Sequence, residues 1–117
     1  MNAIVVFVGG GIGSLLRYGL SLAIGPRGFP FATLAANVAG CFLIGCLGAA
    51  GARFSWSETT RLMLTTGLCG GFTTFSTFSK ESLALLESGS YGLFALYSLG
   101  SVALGVAAVA LGFSLIK

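Results

Sequence analysis

The sequence predicts an all-α membrane protein with four transmembrane helices, and composition and the spacing of charges lead to that prediction. Hydrophobic residues make up 56% of the chain and charged residues only 8%, which is far from the composition of a soluble globular domain. Uncharged runs cover residues 1–16, 28–52, 62–79 and 88–116, and a spanning helix needs about 20 apolar residues. We therefore predict a single four-helix transmembrane domain over residues 1–117.

The predicted spans follow these runs and are joined by short connections. They cover residues 3–24, 31–52, 60–86 and 92–116. The first is expected to be retained rather than cleaved as a signal peptide, because Arg17 interrupts its apolar run and no short basic segment precedes it. Residues 25–30 are rich in Gly and Pro and predict a turn. Ser55 and Glu58 have the S-x-x-E spacing of a capping box that would open the third span.

Small residues recur four positions apart and predict where helices touch. The pairs are Gly9 with Gly13, Ala36 with Gly40, Ser101 with Gly105, and Ala108 with Gly112. Small side chains let helix backbones approach closely in lipid. Arg17 lies four residues beyond Gly13 on the same face. In one interpretation its side chain points inwards, to protein or to an aqueous vestibule. In the other it snorkels to the bilayer edge, and the sequence leaves both interpretations open.

The third span contains a segment that is poorly suited to a helix. Residues 70–79 read GGFTTFSTFS; glycine removes side-chain restraint, and Thr and Ser hydroxyls compete for backbone hydrogen bonds. We predict an interruption here, at the functional centre, because non-helical backbone at membrane depth must be buried in protein or line a cavity. Carbonyls freed around Gly70 and Thr73 could coordinate a cation such as Na⁺. Alternatively, neighbouring Ser and Thr side chains satisfy a simple kink.

The basic residues divide evenly between the two sides of the predicted bundle. Arg53, Arg61 and Lys117 fall on the side of the N-terminus, and Arg17, Arg27 and Lys80 fall on the other. Because the bias of Lys and Arg sets orientation, a balanced chain is expected to insert both ways round. The net charge of +3 therefore reflects residues that flank spans, and no nucleic-acid partner is predicted.

The chain has few side chains that could act in catalysis or bind a metal ion. The only acids are Glu58, Glu81 and Glu87, and the chain contains no His. No Ser or Cys has a plausible base nearby, so we predict that the protein is not an enzyme. The three cysteines are an odd number without a C-x-x-C pair, which argues against both a disulfide framework and a zinc site.

Neutral hydrogen-bonding and aromatic groups are what the spans do contain. Asn37 is the single amide well inside a span; it needs a partner or a ligand, and an interhelical hydrogen bond is the favoured interpretation from this observation alone. Phe75 and Phe78 either pack in the core or turn their electropositive ring edges towards an anion. Tyr97 and Ser101, four apart, place two hydroxyls on one face of the fourth span.

Three blocks of the sequence resemble the Fluc/CrcB family of fluoride channels. They are a GGxxGxxxRY pattern within residues 9–18, TLAANVAGCFLIG in residues 33–45 and GLCGGFTTFSTFSKE in residues 67–81. The resemblance extends over the whole chain. It implies an antiparallel dual-topology homodimer with two fluoride pores and a central structural Na⁺, in the inner (plasma) membrane as a multi-pass protein among membrane lipid.

The resemblance also implies roles for individual residues. The residues implied for the anion pathway are Asn37, Phe75, Phe78, Thr77, Tyr97 and Ser101. The residues implied for the Na⁺ site, through their carbonyls, are Gly70 and Thr73. Arg17 is expected in the vestibule.

The predicted function is therefore a passive channel that exports fluoride and reduces its toxicity. A dual-topology small multidrug exporter is the alternative, since it shares the size and the number of spans. Such an exporter is expected to carry an acidic residue in its first span, whereas the first acid here is Glu58. A non-conducting assembly subunit would explain the small-residue faces but not the clustered hydroxyls and phenylalanines.

Overall fold

The computed structural model describes residues 1–25 and 29–117, and nearly all of them are helical. In chain order the elements are α1 (Asn2–Ile24), α2 (Phe31–Arg53), α3 (Glu58–Arg61), a π-helix (Leu62–Cys69), α4 (Gly70–Phe72), α5 (Ser76–Glu87) and α6 (Tyr91–Ile116). Three of these helices, α1, α2 and α6, are long and apolar enough to cross a membrane. They confirm three predicted spans, while the remaining one is a chain of shorter helical segments.

The interruption in this third crossing is shorter than the sequence predicts. Helix ends at Phe72 and begins again at Ser76, so the break consists of residues 73–75. The prediction that the interruption starts at Gly70 was wrong in this respect, because Gly70 and Gly71 stay helical. The physical reason is packing: a Cβ on Gly71 would collide with the backbone of Gly10 in α1, so the glycine serves a close helix contact.

The π-helix was not predicted, although a threonine inside it is consistent with its wider turn. The hydroxyl of Thr65 donates a 2.6 Å hydrogen bond to the carbonyl of Arg61. In a π-helix the backbone N–H groups pair five residues back rather than four. In an α-helix the carbonyl of Arg61 would accept from the backbone N–H of Thr65. In the π-helix the hydroxyl of Thr65 bonds to this carbonyl instead.

Two close helix pairs form the body of the protein, and both depend on the small residues that the sequence singles out. In the first pair, α1 packs against the π-helix and α4, where a Cβ on Gly13 would collide with the carbonyl of Leu68. In the second pair, α2 packs against α6, where a Cβ on Gly112 would collide with the carbonyl of Phe42. The predicted small residues that are buried are Gly9, Gly13, Ala36, Gly40, Gly105, Ala108 and Gly112, which confirms them as contact positions.

The connection between α2 and α3 differs in detail from the predicted capping box. Ser57, not Ser55, is the N-cap, and its hydroxyl oxygen accepts a hydrogen bond from the N–H of Thr60. Ser55 has a positive φ of 53° and still belongs to the turn that ends α2, so it cannot cap the next helix. The predicted capping box is therefore absent, and a simple N-cap at Ser57 takes its place.

The ends of the helices bring the basic residues together as the sequence predicts. Arg53 donates a 2.8 Å hydrogen bond to the carbonyl of Ile116, beside Lys117, and Thr59 bonds to Asn2 at the start of α1. Arg53, Arg61 and Lys117 therefore lie at the end that holds the N-terminus. Predicted residue Arg27 lies outside the described residues.

Replacing Gly71 with alanine is expected to lower the free energy of unfolding by about 1–3 kcal/mol, because the added methyl collides with backbone that cannot move aside. Gly11→Ala is the matched control on α1, since a Cβ there meets nothing within 4 Å. Unfolding in a mild detergent titrated with a denaturing one measures both. Equal stability of the two variants would contradict the close contact of Gly71 with α1.

Candidate ion site at the helix break

Asn37 of α2 holds the break through its side-chain amide. The Nδ2 group donates a 3.1 Å hydrogen bond to the carbonyl of Thr74, and Oδ1 accepts a 2.8 Å bond from the N–H of the same residue. A side chain that pairs with both backbone groups replaces what the helix would have supplied. The break is thus a defined conformation fixed by the neighbouring helix.

The carbonyls of Gly70 and Thr73 lose their usual partners as a direct result. In an α-helix they would accept from the N–H groups four residues later, those of Thr74 and Thr77. The N–H of Thr74 donates instead to Asn37, and the N–H of Thr77 donates to the hydroxyl of Thr74 at 3.2 Å. Both carbonyl oxygens are therefore left without a helical donor. Unpaired oxygens are the ligands that hard cations prefer.

A cavity of about 590 Å³ opens beside the break, and we call it the break groove. Its lining is uncharged and mostly apolar, with aliphatic and aromatic side chains and a smaller number of hydroxyl, thiol and amide groups. The predicted site residues that line it are Asn37, Gly70, Thr73, Phe75, Phe78 and Ser101. None of the lining residues carries a formal charge, so a small ion in the groove would meet dipoles only.

The two phenylalanines of the break occupy different environments. Phe75 is 78% exposed, so in the single subunit it is not a core residue. Phe78 is half-buried and packs against Tyr97, with ring centroids 4.9 Å apart and planes at 47°. The Phe75 and Phe78 centroids are 5.8 Å apart. The pair therefore forms a short aromatic wall that runs from the open groove towards the interior.

Two residues of α6, Tyr97 and Ser101, place hydroxyl groups close to this aromatic wall. Tyr97 is fully buried, with 0% exposure, and its hydroxyl donates a 3.1 Å hydrogen bond to Glu81 of α5. The hydroxyl of Ser101 is buried without a hydrogen-bond partner among the described residues. Buried polar groups in native proteins are normally paired. Ser101 therefore offers an unused donor at the wall of the break groove.

A second cavity of about 790 Å³ lies at the other side of the first turns of α5, and we call it the vestibule. Thr77 and Arg17, both predicted site residues, line it together with Thr33 and Glu81. The Nε group of Arg17 reaches the carbonyl of Gly71 at 3.5 Å. Arg17 is half-buried. Its side chain therefore faces protein and the cavity, as in the inward-pointing interpretation, and does not snorkel to the bilayer edge. Since Thr77 faces the vestibule and its neighbour Phe78 faces the break groove, α5 separates the two cavities.

Sequence reasoning missed the parts played by Thr74 and Glu81. Thr74 pairs with Asn37 through its backbone, and its hydroxyl accepts a hydrogen bond from the N–H of Thr77 in the first turn of α5. The signal that could have found this bond is the spacing of three between Thr74 and Thr77, which suits a hydroxyl that accepts from a backbone N–H near a helix start. Glu81 lies four residues after Thr77, a spacing that puts both on one face.

Comparisons with known proteins cover nearly the whole chain. A family model described as CrcB-like protein, Camphor Resistance (CrcB), matches residues 4–113. A fluoride-specific ion channel FluC of Phocaeicola vulgatus is 53% identical over 114 residues, which is 95% of this chain and 94% of that protein. Proteins with the same name from Methylobacterium nodulans and Bacteroides fragilis are 47% and 45% identical, over 100% and 93% of this chain and 97% and 91% of those proteins. This chain belongs to the CrcB-like family.

Proposed function

We propose that this chain forms a fluoride-selective channel through which fluoride leaves the cell passively, so that fluoride toxicity is reduced. The observation that carries the proposal is the break groove: an uncharged, largely apolar cavity with aromatic rings and a few hydrogen-bonding groups, at a break held by Asn37. Relatives that share about half of its residues are named fluoride-specific ion channels. Their name supports a channel over a multidrug exporter, an assembly subunit or an enzyme.

The chemistry of the groove suits a small anion that must bind and then leave. Conduction requires sites that replace the water shell without holding the ion too firmly. Asn37 uses one Nδ2 hydrogen on Thr74, and an amide has two, so the second remains for an ion. The hydroxyl of Ser101 and the positive edges of the Phe75 and Phe78 rings add further weak donors.

The remaining predicted residues lie at the vestibule, on the other side of α5 from the break groove, or behind Phe78. Thr77 lines the vestibule and Tyr97 lies behind Phe78. Arg17 supplies a positive charge in the vestibule, where Glu81 supplies a negative one, and it lies outside the neutral groove. We assign these residues to the polar part of the path and to its mouth.

Growth of a fluoride-sensitive bacterium tests the proposed role in the cell. Expression of the chain should restore growth on fluoride and lower the fluoride retained by the cells, as measured with an electrode after lysis. Passive export towards the medium requires the cell's own (inner, plasma) membrane, and fractionation should find the protein there. Growth no better than with an empty vector, at proven expression, would contradict the proposal.

The proposed assembly is an antiparallel homodimer, because one subunit leaves its site open. The break groove faces outward, and exposed Phe75 stands at its edge. If lipid covered this face, the backbone groups of the break would meet hydrocarbon that cannot pair with them. A second copy closes the groove with equivalent polar groups, and the balanced basic residues allow the two copies to insert in opposite directions.

Cysteine labelling is expected to show the dual topology. Phe54 is exposed at the end of α2, so the Phe54→Cys variant should react with a membrane-impermeant maleimide in about half of its copies from each side. The unsubstituted chain, whose three thiols lie within the spans, gives the background. Labelling from one side alone would exclude opposite insertion.

The proposed structural cation is Na⁺, held by the carbonyls of Gly70 and Thr73. Their fit to a hard cation rests on the two diverted N–H groups, which leave the carbonyl oxygens without helical donors. Two copies would supply four such oxygens. The cation would neutralise these carbonyl dipoles at membrane depth, where no water replaces it.

Removal of Na⁺ is expected to lower both the thermal stability of the detergent-solubilised protein and its fluoride flux. Replacement by a bulky organic cation leaves the freed carbonyls unpaired, a loss of about 1–3 kcal/mol for each carbonyl that the proposed dimer buries. Thermal unfolding and liposome flux in the two salts measure the effect, and titration of Na⁺ back should restore both. Equal thermal stability and equal flux in the Na⁺ salt and in the organic-cation salt would contradict a bound Na⁺.

A further inference from the structure

Gly40 of α2 meets the break at a side-chain methyl. Gly40 is buried, and a Cβ built on it would collide with Cγ2 of Thr73. The next nearest atoms are Cδ2 of Phe72 at 3.3 Å and Cβ of Thr73 at 3.7 Å. The methyl of Thr73 is therefore the main obstacle to a side chain at residue 40. Because Gly40 has no Cβ, this methyl can occupy the space beside it.

The methyl of Thr73 cannot turn away without breaking a hydrogen bond. The hydroxyl of Thr73 donates to the carbonyl of Cys69 at 3.0 Å, and the hydroxyl and the methyl are both attached to Cβ. Rotation about χ1 moves the two groups together, and a β-branched side chain has few rotamers to choose from. An added methyl on Gly40 would consequently push the backbone at Thr73 or break the bond to Cys69.

Asn37 and Gly40 are three residues apart and share one face of α2. Asn37 fixes the backbone of Thr74, and Gly40 receives the side chain of Thr73. One face of a continuous helix thus contacts two consecutive residues of the break. The contact at Gly40 limits how closely the break approaches α2, while the hydrogen bonds of Asn37 pull it in.

We infer that Gly40 is a positioning residue for the ion site: by receiving the methyl of Thr73 it sets where the freed carbonyls of Gly70 and Thr73 lie. The inference deepens the proposed function and rests on it. Gly40 does not touch the ion and acts through Thr73. Its removal should therefore change how the site responds to Na⁺ as well as how well the protein packs.

Two single variants and their combination test this role. Gly40→Ala should reduce fluoride flux in liposomes about tenfold and raise the Na⁺ concentration for half-maximal flux. Thr73→Ser removes the methyl that Gly40 receives and keeps the hydroxyl that bonds Cys69, so its own flux and Na⁺ response serve as the reference for the double variant. In the double variant the nearest atom of residue 73 to the new Cβ is its own Cβ, 3.7 Å away, and the closest remaining atom is Cδ2 of Phe72 at 3.3 Å, which a small shift of that ring relieves. Flux and Na⁺ response should therefore return close to the values of Thr73→Ser alone.

Two other glycines of α2 make the test specific. Gly48 is exposed and a Cβ there meets nothing within 4 Å, so Gly48→Ala should behave as the parent. A Cβ on Gly45 collides with the backbone carbonyl of Val109, so Gly45→Ala should be destabilised and Thr73→Ser should not rescue it. If Gly40→Ala assembles poorly, the yield of dimer and the midpoint of thermal unfolding give the same comparison, and the rescue by Thr73→Ser should appear there.

The outcomes separate this inference from the proposed function. A Gly40→Ala variant that matches the parent in flux and Na⁺ response, or a double variant that stays as impaired as Gly40→Ala, would overturn the positioning role. Loss of packing with an unchanged Na⁺ response in the flux that remains would also overturn it, since a purely structural role would then suffice. A parent chain that carries no fluoride would instead contradict the proposed function, while rescue of thermal stability would still report the contact of Gly40 with Thr73.

Discussion

Replacing Asn37 with aspartate is expected to reduce fluoride flux by about a hundredfold, since it leaves a part-buried backbone carbonyl of the break without its donor. Asn37 donates to the carbonyl of Thr74 and accepts from its N–H. An ionised carboxylate keeps the acceptor but has no donor. One of its oxygens would then face the carbonyl of Thr74 in place of Nδ2, and the two would repel each other.

The charge of the carboxylate adds to this local effect. The break groove has no formal charge on its lining residues, and its low dielectric strengthens any charge placed there. A negative carboxylate would repel the anion at the point where neutral donors should replace its water shell. Flux in liposomes, measured with a fluoride electrode at neutral pH, reports the combined loss.

Asn2→Asp is the matched control for the Asn37 variant. Asn2 is exposed, and its Oδ1 accepts a hydrogen bond from the hydroxyl of Thr59, which a carboxylate also accepts. The same charge is added at the end of the bundle, and flux should remain close to that of the parent. If Asn37→Asp conducts as well as Asn2→Asp, Asn37 lies outside the anion path and does not fix the break.

Replacing Phe78 or Phe75 with isoleucine is expected to reduce fluoride flux about tenfold each, in line with the worth of a well-placed aromatic contact. Isoleucine keeps apolar bulk but has no ring quadrupole, so the positive edges that face an anion are lost. Phe78 also packs on the ring of Tyr97 at 4.9 Å. We therefore expect Phe78→Ile to lower stability slightly as well, and Phe75→Ile to leave it unchanged, because Phe75 is largely exposed in the subunit.

Phe7→Ile provides the control for the phenylalanine variants. Phe7 lies on α1 and is 82% exposed, away from both cavities, so its replacement should alter neither flux nor assembly. Dimer yield is measured for all three variants by size-exclusion chromatography in detergent. Normal flux and selectivity in Phe75→Ile and Phe78→Ile would mean that these rings only fill space, which would remove them from the anion path.

The spans and their contacts were predictable because their causes act locally along the chain. Uncharged runs set α1, α2 and α6, and pairs of small residues four apart identify faces such as that of Gly9 and Gly13. Each signal depends on composition or helical periodicity, which a sequence carries directly. The same holds for the existence of a break in GGFTTFSTFS.

The exact form of the break depends on distant residues and was not predictable in the same way. Gly70 and Gly71 look like helix breakers, yet α1 packs so closely on Gly71 that the helix continues. The N–H of Thr74 is captured by Asn37, which lies 37 residues earlier. No local pattern specifies such a partner. The bond of Tyr97 to Glu81 likewise joins two different helices and follows from tertiary packing.

Fluoride release from liposomes is the measurement that tests the central claim most directly. Purified protein is reconstituted in vesicles loaded with fluoride and chloride, a potassium ionophore removes the electrical limit, and electrodes follow both anions without a proton gradient. The neutral groove at the Asn37-held break predicts rapid fluoride release with little chloride release. Fluoride release that requires a proton gradient, or equal release of chloride, would contradict a passive channel that selects fluoride at this site.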